Sequence, residues 1–299
     1  MLKTMMNGLF AALMLTGMCA CTSNDAAETA QVETSLISFD FFEASMEEMG
    51  GHTRADDAVD QTYSRLDIVI YPETGAASSE VLRFHQQKGV EGFGKLSVRV
   101  PKGKYRLVAV ASNSAEAVDI QSAELAVFAN SIVTDMAFVT QVVDATNNNA
   151  TVKCQLQRAV AKFCLQSSDL APEEFSKVAL SVTGVVNDRM NPSTGFAVKD
   201  GEKTFQRSWN IDKAKFEPGK LFGCSIYVLL PAEQATVSVD AAMYGAENQL
   251  LKDLHFDNVG LQQNHVTTYK GPIFSYGGDI SFTFNKADFQ KSEHDTTFE

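Results

Sequence analysis

Between Leu36 and Glu43 the sequence reads LISFDFFE, so that Ile37, Phe39 and Phe41 alternate with Ser38, Asp40 and Phe42. A side-chain period of two puts one set of residues on each face of an extended strand. It does not suit a helix, whose apolar stripe recurs every three to four residues. The same alternation runs through most of the chain in short segments rich in β-branched and aromatic residues, divided by Gly, Pro, Asn and Asp. That pattern predicts an all-β fold. A first set of predicted strands covers 36–43, 65–71, 95–99, 103–111 and 134–142. A polar break, DATNNNA at 144–150, separates it from a second set at 151–156, 160–166, 177–186, 221–230, 236–244, 249–257, 266–269 and 279–284. Helix is expected only as a turn at 168–175, where Ser168 or Asp169 can cap and Pro172, Glu173 and Glu174 suit a first turn, and in a stretch around 115–128.

The first 15 residues carry one charge, Lys3, followed by an apolar core from Leu9 to Leu15. This is the layout of a secretory signal, too short to span a bilayer before the sequence turns polar. It ends in GMCACTSNDAAE, which resembles a bacterial lipobox. Cys21, preceded by the small Ala20, is the preferred acceptor over Cys19, preceded by the bulky Met18. Acylation there would anchor the chain, since two or more lipid chains make a stable attachment. The polar and acidic run Ser23, Asn24, Asp25 and Glu28 resembles the surface-export signal of some Gram-negative lipoproteins, although a plain solvated tether would have the same composition. The predicted organisation is a signal peptide at 1–20, an acidic tether at 21–34, and two β-sandwich domains at 35–146 and 147–299.

The chain has 37 acidic and 25 basic residues and a net charge of −12, which argues against nucleic acid and anionic headgroups as partners. Cys154, Cys164 and Cys224 show no close pairing. They are expected as buried thiols on strands, with a disulfide between two of them left open. His52, His85, His255, His265 and His294 have no metal-ligand spacing, and neither a metal nor a cofactor is expected. No nucleophile, zincin or phosphate-loop motif occurs, and GVEGFG at 89–94 reads as a hairpin loop, so the chain is not expected to be an enzyme. Arg158 and Lys162, in LQRAVAKF, are expected on a solvated face or near a rim.

Four stretches in order, PKGKYRLVAVAS at 101–112, LQRAVAKFCL at 156–165, LFGCSIYVLLPAE at 221–233 and LQQNHVTTYKGPIF at 261–274, together with the lipobox, resemble the fimbrillin superfamily. The resemblance covers most of the chain after its signal. It implies two tandem transthyretin-like β-sandwich domains and a structural, adhesive role in fimbriae on the outer membrane surface, with other fimbrial subunits as partners and surface ligands of host or bacterial cells as further ones. In polymerising members a protease cuts after an arginine and releases the preceding strand, and a strand of another subunit takes its place. Carried onto this sequence, the arginine is Arg54, in the charged loop after Glu43. The displaceable strand is the one bearing Ile37, Phe39 and Phe41, and the donor segment is at 281–290, with Phe282 and Phe284 alternating. A membrane-retained fimbrial anchor would keep both lipid and strand. A different class, a tethered glycan-binding lipoprotein, would need a stacking platform, for which Trp209 in a charged loop beside Arg207 and Lys213 is the candidate.

Overall fold

The computed structural model describes residues 32–43, 57–73, 79–129, 133–147, 149–186, 188–198, 203–211, 221–275 and 281–286. The strands all lie within one unit, Glu33–Glu299. In chain order the first ten are β1 (Thr34–Glu43), β2 (Asp57–Ala58), then a single helical turn α1 (Val59–Thr62), β3 (Arg65–Pro72), β4 (Leu82–Gln87), β5 (Lys95–Pro101), β6 (Lys104–Ser112), β7 (Asp119–Ser122), β8 (Leu125–Val127), β9 (Met136–Asp144) and β10 (Ala150–Arg158).

Eight of these form one sheet folded over on itself. β1 lies between β5 and β10, while β9, β6, β3 and β4 follow in that order, and the two parts meet where Gln157 and Arg158 pair with Phe138 and Ala137. The alternating side chains close one core: Ile37, Phe39 and Phe41 of β1 share it with Leu66, Ile68 and Ile70 of β3, Leu107 and Ala109 of β6, and Cys154 and Leu156 of β10. Fully burying one such side chain stabilises by about 1.5–3 kcal/mol, which selects the register because a slip by one residue would turn the whole set outward.

β3 and β6 are also covered on their other face. Val69, Val108 and Val110 belong to a second core, together with Ile120 of β7 and Ala126 of β8. Strands buried on both faces lose strict alternation, as IVI and LVAVA show.

The second half runs β11 (Val160–Ser167), β12 (Lys177–Val186), β13 (Arg189–Asn191), β14 (Phe196–Ala197), β15 (Lys203–Asn210), β16 (Gly223–Leu229), β17 (Gln234–Tyr244), β18 (Leu250–Gln262), β19 (His265–Gly271) and β20 (Ser281–Lys286). Two four-stranded sheets, β16-β11-β19-β20 and β15-β12-β17-β18, enclose the second core. A small sheet, β14-β13-β8-β7, ties the halves through the pairing of Arg189 and Met190 with Val127 and Ala126. The break at 144–150 is the connection between β9 and β10, which are neighbours in the first sheet, and the chain passes from the first core to the second at Ala159.

The fold is all-β, as the period predicts, but neither expected helix is present. Within 115–128 the chain makes β7 and β8, because Val118, Ile120, Ala126 and Phe128 are taken up by the second core. At 168–175 there is only a turn, closed by the Phe175 amide on the Pro172 carbonyl. The expected capping residue Asp169 is engaged elsewhere: its carboxylate accepts the amides of Phe274 (3.1 Å) and Ser275 (2.6 Å), far along the chain. Burial alone would raise this carboxyl, but hydrogen bonds from Ser167, Ser275 and Phe274 hold it below its ordinary value.

Candidate strand-exchange site

β1 is held along both edges. On one side it runs parallel to β10, from Ile37 opposite Ala150 to Glu43 opposite Leu156. On the other it runs antiparallel to β5, from Thr34 opposite Pro101 to Asp40 opposite Lys95, after which β2 takes over at Phe42 and Glu43. Ile37, Phe39 and Phe41 are 0, 2 and 3% exposed, all on the core side, and the two phenylalanine rings stack with centroids 6.2 Å apart. The strand is therefore interior to its sheet. Its removal would open a groove with an unpaired backbone edge on each wall and an apolar floor.

Both ends of β1 are fastened by polar contacts. At the start, the Ser35 hydroxyl donates to the Ala145 carbonyl at 2.9 Å, the Leu36 amide donates to Asn149 Oδ1 at 2.8 Å, and Lys102 forms an ion pair with Glu33 at 2.5 Å. At the far end, Glu43 meets Arg158 at 3.2 Å and accepts the Tyr63 hydroxyl at 3.2 Å, while Arg158 Nε donates to Asp135 at 2.8 Å. Burial pushes the Asp135 carboxyl up against the pull of Arg158. Arg158 is not on a solvated face as expected: its side chain is 8% exposed. Lys162 is wholly buried, with Nζ 5.2 Å from the centre of the Tyr227 ring. Both lie where the chain crosses between cores, so the surroundings on each side are protein, and sequence alternation could not reveal that.

The glycine-rich stretch at 89–94 is a turn, as expected of a loop, but it links β4 in one part of the sheet to β5 in the other instead of closing a hairpin. It bears on β1 directly, since the Gly94 carbonyl accepts the Phe41 amide at 2.8 Å. Gly94 has φ +81°, and a Cβ there would sit 2.5 Å from Val59 Cγ1. Gly94→Ala is therefore expected to lower folding stability by about 1–3 kcal/mol, read as a shift in the urea midpoint.

The other sequence-derived residues fall as follows. Cys21 and Arg54 lie outside the described residues. In sequence, Arg54 stands between β1 and β2, so a cut there separates β1 and the residues before it from the later strands. Phe282 and Phe284 are on β20, the last strand of its sheet, paired with β19 at Tyr269 and Thr267. Trp209 is not in a loop: it is on β15, 7% exposed within the second core, with the Arg207 guanidinium 5.6 Å from its ring centre, and offers no open stacking face. Cys154, Cys164 and Cys224 are buried thiols outside any disulfide, and burial pushes Cys154 up to about 12, which keeps it protonated and inert. His85 bonds Asp67 at 2.6 Å, and His255 lies between Asp240 and Asp257 on the outer face of β17 and β18. Among the described residues no group of three or more ligating side chains could hold a metal ion.

A family model described as a family of unknown function, DUF6562, matches residues 29–298. No protein in the curated set matches the sequence. Among solved structures, the chain is similar to candidate polysaccharide-binding proteins from Bacteroides thetaiotaomicron, at 12% identity over 86% of this chain and 99% of that one, TM-score 0.51. It is also similar to a candidate adhesin from the same species, at 10% identity over 87% and 98%, TM-score 0.51. The fimbrial anchor protein Mfa2 from Porphyromonas gingivalis matches at 11% identity over 79% and 90%, TM-score 0.40. The first two share their fold with this chain over 86 and 87% of its length.

Proposed function

From the premise that the chain belongs to the DUF6562 family, whose function is unknown, we propose that it is a surface lipoprotein of fimbrial type, a structural and adhesive subunit without catalytic activity. It reaches the outer membrane with lipid on Cys21, and a cut after Arg54 removes that lipid together with β1, after which the body joins other fimbrial subunits by strand exchange. The observation that carries this reading is β1 itself. It is interior to its sheet, contributes three buried apolar side chains, and is joined to every later strand only through the segment that contains Arg54. Cleavage there frees the strand, and its groove is unfavourable in water until another extended segment restores both rows of backbone bonds and the apolar floor. β20, at the edge of its sheet and bonded on one side, is the donor segment, with Phe282 and Phe284 as its alternating pair. The adhesive role draws further support from the shared fold with solved candidate adhesins and polysaccharide-binding proteins.

The test is cleavage with an arginine-specific protease followed by electrophoresis without boiling, with the mass of the membrane fraction reporting lipid at Cys21 and cutting at Arg54. The cut wild-type chain is expected to form a ladder of oligomers, while Arg54→Ala stays monomeric. A fully cut chain that remains monomeric, or an uncut variant that polymerises equally, overturns strand exchange in favour of the membrane-retained anchor.

A further inference from the structure

Away from β1, the second sandwich has an open cleft of 570 Å³, within the range of small-molecule sites. It lies where β18 and β19 leave the turn at Gln263 and Asn264 and enter different sheets, β18 beside β17 and β19 beside β11. The Thr267 hydroxyl spans the divergence, donating to the Gly260 carbonyl at 3.0 Å.

Three features of the cleft bear on what it takes. Its lining contains no charged side chain, in a protein with a net charge of −12, so neither an ion nor a charged headgroup would find a counter-charge. Residues with amide and hydroxyl side chains line it instead, Gln234 and Thr236 on β17 and Asn258 and Gln262 on β18. The register pairs Gln234 with Gln262 and Thr236 with Gly260, so these positions share one face by alternation. Tyr269 supplies the aromatic wall, and its ring is fixed against Phe163 (5.4 Å) and Phe256 (5.1 Å).

The strand is also deformed at this place. Between Val237 and Val239 the pairing of β17 with β18 shifts, so that Asp257 and Asn258 oppose one residue, and Asn258 adopts φ +55°. A bulge of this kind re-aims a side chain, and a left-handed non-glycine residue is a strained conformation that persists because its surroundings hold it. Gly260, opposite Thr236, leaves the mouth open, since a Cβ there would meet nothing within 4 Å.

We propose that this cleft is a binding subsite for one or two units of a neutral saccharide, with its hydroxyls held by the amides of Asn258, Gln262 and Gln234 and a sugar face against Tyr269. Neutral amide and hydroxyl groups around one fixed aromatic ring match a polyhydroxylated, uncharged ligand, whose many hydroxyls both donate and accept. The subsite is independent of strand exchange, and its test is read without polymerisation.

The full chain is applied to an array carrying neutral hexose and N-acetylhexosamine oligosaccharides beside sialylated and sulfated ones, and the neutral hits are titrated in solution. Binding is expected to be confined to neutral glycans. Gly260→Tyr, which fills the mouth, is expected to weaken it at least tenfold with the thermal unfolding temperature unchanged. Asn258→Gly, which keeps the left-handed backbone while removing the amide, is expected to weaken it as well and serves alone if the tyrosine variant does not fold. Failure to bind any neutral glycan, retention of acidic glycans only, or undiminished binding by the folded variants overturns the proposal.

Discussion

Arg158→Ala will lower the folding free energy by about 3–5 kcal/mol, one of the largest effects expected of any single substitution in this chain. The loss comes less from the missing attractions than from what they leave behind. Glu43 and Asp135 are each at most 13% exposed and would remain as buried carboxylates without their cation. Replacing Glu43 by Gln in the same background is expected to recover part of the loss, because one of the two stranded charges is then gone. Urea unfolding of the two single variants and the double variant measures this coupling. A loss under 1 kcal/mol for Arg158→Ala would show that the cluster is solvated and does not hold the end of β1.

Phe39→Ala is the second large effect, expected to cost about 3–5 kcal/mol through lost transfer energy and the cavity left in the first core. Phe39 is central in β1, between Ile37 and Phe41, with Leu96 and Val152 as its cross-strand neighbours. Its side chain must also be withdrawn when the strand leaves. The same variant, once cut at Arg54, is therefore expected to release its body from the membrane-held β1 peptide faster than the wild type, as followed by mass spectrometry of the soluble fraction. A strongly destabilised variant with an unchanged release rate would mean that the strand does not leave through the groove.

The β1 face was legible because one side of the strand is core and the other is not, so its burial repeats with the period of the sequence. Arg158 and Lys162 were misplaced for the opposite reason. They sit beside apolar residues in a strand-to-strand passage covered on both sides, and there a charged residue type points to solvent only if nothing else surrounds it. β4 and β15, absent from the expected strands, are edge strands in which polar residues such as Gln86, Gln206 and Arg207 dilute the apolar set. The turn at 168–175 carried the local chemistry of a helix start, yet Asp169 is spent on the amides of Phe274 and Ser275, a partnership made only in the folded chain. The saccharide cleft left no motif, because it is assembled from a bulge at Asn258, an open Gly260 and a ring on the next strand.

The most direct test of strand exchange uses a lock between β1 and its neighbour. Ser38 and Ser97 stand opposite each other on β1 and β5, with their hydroxyl oxygens 3.0 Å apart on the solvent side, where a cross-strand disulfide can be built. The Ser38→Cys, Ser97→Cys variant is oxidised, cut to completion after Arg54, and divided, one half receiving reductant. Electrophoresis without boiling is expected to show monomer in the oxidised half and a ladder of oligomers in the reduced half. An equal ladder in both halves, with the disulfide intact in the first, would contradict the claim that β1 must leave for subunits to join.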